Sequence, residues 1–277
     1  MDRFDPVFTK TLKQEIAEFA EMLGDLGLDV EIVDGNVHMA SELIRYYGCT
    51  HKDRGGIRPG MEMENRWYAS LRSGCPDFSV YADDLYPADV FACWRIYSRS
   101  YLRSLLTLSM LPPTGIAGDM GRIRSVVDLG CGLGYTTAAL GRMFPDAVVV
   151  GTNFPGTVQA RFATRMGKRY GFSLVTGPRD VGHQCDLIFA SEYFEHIESP
   201  LDHLEEIIDA LRPKFLIVAN AFGAISVGHF ERYVVGGRSM TGKEASLRFN
   251  RRLRTRGYEK VRTRCWNGRP VYWRKRI

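Results

Sequence analysis

The 277 residues are 45% hydrophobic and 12% aromatic, enough to bury a core in one large domain with an appended module. The start MDRFDPVFTK carries charges where a secretory leader needs an apolar stretch, and no apolar window approaches about eighteen residues, so the expected compartment is the cytoplasm with no membrane partner. Six scattered cysteines without a CxxC pair predict reduced thiols, and the net charge of +5 is uneven: residues 228–277 hold 15 Lys and Arg against 3 Asp and Glu, leaving −7 for the remainder.

Residues 7–26 place Val7, Leu12, Ile16, Phe19 and Leu23 at steps of three to five, which predicts an amphipathic helix. DVEIVDGNVHM alternates around Asp34-Gly35 and predicts a hairpin. THKDRGGIRPGMEMEN is polar and glycine-rich and is expected to be a loop. From Pro87 to Leu111 the pattern reads as one long helix, stopped by Pro112 and Pro113. It interleaves Trp94, Tyr97 and Tyr101 with Arg95, Arg99 and Arg103, groups that stack bases and hold phosphates or else form an ordinary core stripe with solvated arginines. PPTGIAGDMG marks a boundary, giving a mainly helical N-terminal substrate or lid region (1–111), a linker (112–122) and a catalytic domain (123–277).

After the boundary, short β-branched runs (RSVVDL, DAVVVG, FSLVT, CDLIFA, KFLIVAN) alternate with helical segments. This predicts an α/β, Rossmann-like parallel sheet covered by helices on both faces. TGKEASLRFNRRLRTRG reads as a helix closed by Gly257, and two alternating runs about Asn267-Gly268 predict a closing antiparallel hairpin.

VVDLGCGLG places Asp128, Gly130, Gly132 and Gly134 between the first parallel strand and a helix. Glycines there allow positive φ and close approach of a nucleotide-like ligand to the backbone. The dinucleotide fingerprint would want glycine at 135, where the chain has Tyr135. This segment resembles the first motif of class I S-adenosylmethionine-dependent methyltransferases, and the resemblance extends over about 123–277. It implies a seven-stranded sheet ending in the hairpin, S-adenosylmethionine as cofactor, and Asp128, Gly130, Gly132 and Gly134 lining it. Asn153, Phe154, Asp180 and Glu192 complete the expected cofactor side. Asn153 stands where the family usually has an acidic receiver of both ribose hydroxyls; an amide lacks that charge assistance, which lowers the expected affinity unless Asp180 contributes near the adenine.

SEYFEH occupies the place after the fourth strand where amino-methylating DNA enzymes carry (D/N/S)PP(Y/F), and Cys75-Pro76 reverses the Pro-Cys of cytosine C5 enzymes. The segment SEYFEHIESP is similar to one in ubiquinone-biosynthesis O-methyltransferases and in small-RNA 3′-terminal 2′-O-methyltransferases. By the latter resemblance Glu192, Glu195, His196 and His229 would bind Mg²⁺, Mn²⁺ or Zn²⁺. The metal-free reading makes Glu195 or His196 the catalytic base, or leaves them as a helix cap and a packed imidazole. His203 is expected on the solvent side of DHLEEIIDAL. Three functions follow: O-methylation of a hydroxyl acceptor, favoured slightly as a nucleic acid or nucleotide held by the basic C-terminal region; methylation of a small metabolite; or a catalytically idle cofactor-binding partner subunit.

Overall fold

The computed structural model describes residues 12–25, 30–33, 36–39, 60–83, 86–109, 116–261 and 270–276. The expected turns at Asp34-Gly35 and Asn267-Gly268, the prolines 112 and 113, and Cys49 and Cys265 lie outside those residues, while the strands on either side of the first turn, β1 (Val30–Val33) and β2 (Asn36–Met39), pair antiparallel.

Seven strands form one mixed sheet. Strands β3 (Ser125–Leu129), β4 (Val148–Thr152), β5 (Ser173–Val175), β6 (Leu187–Ser191) and β7 (Phe215–Ala219) are parallel, in the order β7-β6-β3-β4-β5. Beyond β7 lies β11 (Val271–Lys275), antiparallel to it, and then β10 (Tyr258–Val261), antiparallel to β11. The sheet that the β-branched runs predict is therefore present, and it closes in the antiparallel pair. Because successive side chains alternate faces, Val126, Leu187, Phe189 and Ile217 enter one core, and Val127, Leu129, Ile188, Leu216 and Val218 enter the other.

The first core is covered by α6 (Tyr135–Met143) and α7 (Val158–Tyr170), and the second by α8 (Pro200–Leu211) and α9 (Gly242–Thr255). The N-terminal elements share both cores. Phe19 of α1 (Leu12–Gly24) stacks on Phe91 of α3 (Tyr86–Cys93) at 4.3 Å, and Trp67 of α2 (Gly60–Arg72) is fully buried against Phe230. Buried Glu15 of α1 is paired with Arg99 at 2.8 Å, while Glu18 meets Arg169 and Tyr170, each at 2.7 Å. Helix α2 corrects the expected loop, since GMEMEN at its end is the first turn and a half of a helix rich in good helix formers.

The long helix is present from Tyr86, but it is interrupted at Trp94–Ser98 by a π-turn before α4 (Arg99–Ser109). Its extra residue bulges where the helix crosses the carboxyl ends of the strands, and Ser98 Oγ donates to Ser191 Oγ at the end of β6. Ile116–Met120 inside the boundary segment forms a short helix, α5. A hairpin the periodicity does not announce, β8 (Arg232–Val235) and β9 (Arg238–Thr241), turns on Gly236-Gly237 with φ of +58° and +73°. Among the described residues no helix is long and apolar enough to cross a membrane.

Candidate active site

Strand β3 lies between β4 and β6, so the chain leaves it in one direction and returns on the other side, opening a crevice at the carboxyl ends. A cavity of about 550 Å³ fills that crevice. The glycine turn and Asn153 line one end of it, Glu192, His196 and His229 another, and Tyr81, Tyr86 and Trp94 the side facing the N-terminal helices.

The turn is built by three left-handed glycines. Cβ atoms at Gly130 and Gly132 would stand 2.5 Å from Tyr193 and Val90, so these close neighbours leave no room for a side chain, and both glycines line the cavity. Gly134 does a different job from the one expected. It does not line the cavity, and its missing side chain lets α6 pack on Ala163, Met166 and Phe172. Asp128 is buried, accepts from Thr137 Oγ1 at 2.7 Å, and is pushed up to about 7 by burial, with Thr137 opposing.

Asn153 also differs in role. Its Nδ2 donates to the Gly132 carbonyl at 2.6 Å and its Oδ1 accepts from the Phe154 amide at 2.9 Å, so the amide ties β4 to the glycine turn. Phe154, more than half exposed, lines the cavity mouth. Asp180 is not brought to the cavity. It is exposed and accepts from the Gly177 amide at 2.9 Å, capping the turn Pro178–Val181.

At the other end, β6 runs into Glu192, which holds a left-handed φ of +51° that a non-glycine residue adopts only under constraint. A 3₁₀ turn, Phe194–His196, follows. Glu195 is fully buried; one carboxylate oxygen, Oε1, accepts from the Ala221 amide at 2.7 Å, and Oε2 has no donor among the described residues. Burial, and then the charge of Glu192, hold the Glu195 carboxyl well above the usual range.

The segment after β7 carries His229 over this pair. Its carbonyl accepts from Trp67 Nε1 at 2.7 Å, and Ser226 is held by the Tyr68 hydroxyl, so α2 fixes the loop from outside. His229 Nδ1 faces the Ala224 carbonyl at 3.1 Å and therefore carries the proton, leaving Nε2 with its lone pair. Burial lowers His229 to about 4, so the ring is neutral.

Ligand atoms of Glu192, Glu195 and His229 all lie within 4.8 Å of one another. His196 stands outside that trio. Its ring meets His229 edge-on at 4.7 Å, and its Nδ1 lies 3.1 Å from the Tyr81 hydroxyl. Burial, with His229 beside it, holds His196 well below the ordinary imidazole value. His203 corrects its expected solvent position, because Nε2 meets the Tyr193 hydroxyl at 2.7 Å and its ring packs on Tyr193 and Phe194.

Sequence reading did not single out Tyr81, Trp67 or Gln159. Each bonds a residue at least 78 positions away, and no local spacing signals such a contact.

Part of the C-terminal charge is engaged within the fold. Arg252 and Arg256 pair with Glu205, Arg256 also with Asp209, and Arg274 with Asp119 and Glu259. Arg254 and Lys275 lie over Trp273 and Tyr258. Among the described residues, none from 232 onward lines the cavity.

A family model described as a methyltransferase domain matches residues 93–260. No curated protein matches the chain by sequence. Among solved structures, the chain is similar to an O-methyltransferase family protein from Burkholderia thailandensis at 15% identity, covering 98% of this chain and 90% of that one with a TM-score of 0.49. It is also similar to the magnesium protoporphyrin IX methyltransferase ChlM of Synechocystis PCC 6803 with bound SAM, at 14% identity, 70% and 94% coverage and a TM-score of 0.43. Its likeness to the plantazolicin methyltransferase BpumL has 15% identity and a TM-score of 0.40; it covers 58% of this chain and spans 60% of that protein.

Proposed function

Because this chain belongs to the methyltransferase-domain family, we propose that it uses S-adenosylmethionine to methylate a hydroxyl oxygen on a small acceptor that enters the cavity. The observation that carries this reading is that one cavity joins a glycine turn suited to a nucleotide to a buried cluster of two carboxylates and two neutral imidazoles.

The cofactor would supply an electrophilic methyl on a sulfonium sulfur. Gly130, Gly132 and their neighbours leave backbone exposed to it, and buried Asp128 fixes the turn through Thr137. His196 acts as base toward the acceptor. To do so at Nε2 it must carry its proton on Nδ1 and donate it to the Tyr81 oxygen, while the Tyr81 hydroxyl turns to the Gly228 carbonyl at 3.5 Å. His196 Nε2 would take the acceptor's proton as the oxygen is methylated, becoming an imidazolium that balances the positive charge given up by the sulfonium. A neutral ring held below its ordinary value is ready to accept at neutral pH.

A divalent cation fits Glu192, Glu195 and His229. The set offers two carboxylates and one imidazole Nε2, and a donor-less buried oxygen on Glu195 suits a hard or borderline ion such as Mg²⁺, Mn²⁺ or Zn²⁺. When bound, such an ion would lower the pKa of an acceptor hydroxyl. A small acceptor is favoured over a nucleic acid because the described residues from 232 onward stay off the cavity, with Arg252 and Arg256 held by Glu205, while Phe78, Tyr81 and Phe154 form an aromatic mouth.

Calorimetry with S-adenosylmethionine and S-adenosylhomocysteine tests the premise, and transfer of labelled methyl to phenolic, aliphatic-hydroxyl and nucleotide pools tests the acceptor. Binding of the cofactor and labelling of a small hydroxyl compound is the expected result. Labelling of RNA or DNA alone would overturn the small-acceptor reading, and failure to bind either cofactor form would overturn the whole. Titration with Mn²⁺ tests the trio: no rise in melting temperature, or an equal rise in Glu195→Gln, would remove the ion.

A further inference from the structure

A methyl donor built on adenosine brings a vicinal ribose diol, two O–H donors that need an acceptor in the protein. At the end of β4 there is no carboxylate to take them, and both amide atoms of Asn153 are already engaged, Nδ2 with the Gly132 carbonyl and one lone pair of Oδ1 with the Phe154 amide, which leaves a single lone pair for two hydroxyls. Asp180, exposed and capping its own turn, is not among the residues that line the cavity.

Gln159 is. It is the second residue of α7, only 3% exposed, and it lines the same cavity as Asn153, Phe154 and Thr152. Its amide orientation is settled by one contact. The group 2.9 Å from the Tyr81 carbonyl must be Nε2, since two oxygens would repel there. Oε1 is therefore turned the other way, and it is buried with no donor among the described residues. A buried acceptor without a donor is costly, and a leucine of similar volume would fill the space without that cost. The position is arranged for a ligand that donates.

We propose that Gln159 is the ribose receiver of this chain, its Oε1 accepting from the cofactor's ribose hydroxyls in place of the missing carboxylate. The assignment rests on the cofactor proposed above. An amide oxygen bears no proton, so it takes neutral O–H groups and disfavours a phosphate or carboxylate at the same spot. The same side chain, through Nε2, holds the backbone of Tyr81, whose hydroxyl reaches His196.

The test is calorimetry on the full chain with S-adenosylhomocysteine and its 2′-deoxy and 3′-deoxy analogues. In the wild type, loss of a hydroxyl that Gln159 receives is expected to weaken binding about 3- to 10-fold, as for one neutral hydrogen bond. Gln159→Leu and the near-isosteric Gln159→Met are expected to weaken the parent compound by a similar factor and to bind parent and deoxy analogues alike, with thermal unfolding confirming that each variant is folded. A wild type indifferent to both deletions needs no variant to overturn the assignment. Variants that discriminate as strongly as the wild type would also overturn it, with the cofactor reading left standing. No binding of S-adenosylhomocysteine by the wild type would overturn both.

Discussion

The Tyr81 hydroxyl lies 3.1 Å from Nδ1 of His196, a contact that joins residues 115 positions apart across the cavity. It fixes the imidazole's plane and, through the choice between His196 and the Gly228 carbonyl, its tautomer. His196→Ala removes the proposed base and should lower kcat by about 10²- to 10⁴-fold. Tyr81→Phe leaves the ring and removes only its orienting partner, for an expected loss of about 10- to 100-fold. Because Gln159 binds the Tyr81 backbone, not its hydroxyl, Tyr81→Phe should leave S-adenosylhomocysteine affinity unchanged. With His196 held below its ordinary value, the acid limb of kcat/KM is expected below pH 6.5. A limb at or above 6.5 that Tyr81→Phe does not alter would remove this residue pair from the chemistry.

Gly228 makes that contact possible. It has a φ of +79°, and a Cβ there would stand 2.5 Å from both His196 Nδ1 and the Tyr81 oxygen. Gly228→Ala must therefore part the two side chains and also strain the backbone, at a cost of about 1–3 kcal/mol. The expected result is a lower melting temperature together with a loss of kcat at least as large as that of Tyr81→Phe. A variant that melts lower but keeps full kcat would show the contact to be structural only.

The sheet was legible because its strands carry continuous apolar runs such as LIFA and FLIVA, which are buried on both faces. The glycine turn was legible for a related reason, since positive φ and close approach admit few other residues. The spacing of SEYFEH brought Glu192 and Glu195 together, but it also drew in His196, whose Nδ1 turns to Tyr81. Tyr81, Trp67 and Gln159 carried no local signal, because their roles come from how the N-terminal helices and the segment after β7 fold over the crevice. The β8–β9 hairpin is short and half-exposed, so its alternation is weak.

Asn153 shows how a resemblance at one position can mislead about the job done there. Asn153→Asp would restore the acidic residue usual in the family and so would be expected, on that ground, to tighten the cofactor. In this structure it would instead put a carboxylate oxygen 2.6 Å from the Gly132 carbonyl, in place of the donor that closes the glycine turn. A lost hydrogen bond with two facing acceptors costs about 1–3 kcal/mol. The expected outcome is a lower melting temperature and weaker S-adenosylhomocysteine binding, read by thermal unfolding and calorimetry. Tighter binding would mean that the Asn153 side chain swings out to the ligand and that its bond to Gly132 is dispensable.

Asp128 offers a test of the site's electrostatics that needs no ligand. Burial raises its carboxyl from the ordinary 3.8 to about 7, so the folded chain binds this proton more tightly than the unfolded chain does. The stability linked to that proton is fully present below about pH 4, is lost as the pH rises toward 7, and does not change further above it. The loss is on the order of 4 kcal/mol when the carboxyl is ionised. Asp128→Asn keeps an oxygen for the Thr137 hydroxyl and cannot ionise. It should therefore melt several degrees above the wild type at pH 8, at about 2–4 °C per kcal/mol for a chain of this size, and the two should converge near pH 4. Other groups, including Glu195 and the two histidines, titrate in both proteins and largely cancel in the difference. A gap that stayed constant from pH 4 to 8 would mean that Asp128 is ionised throughout, with its charge balanced within the glycine turn.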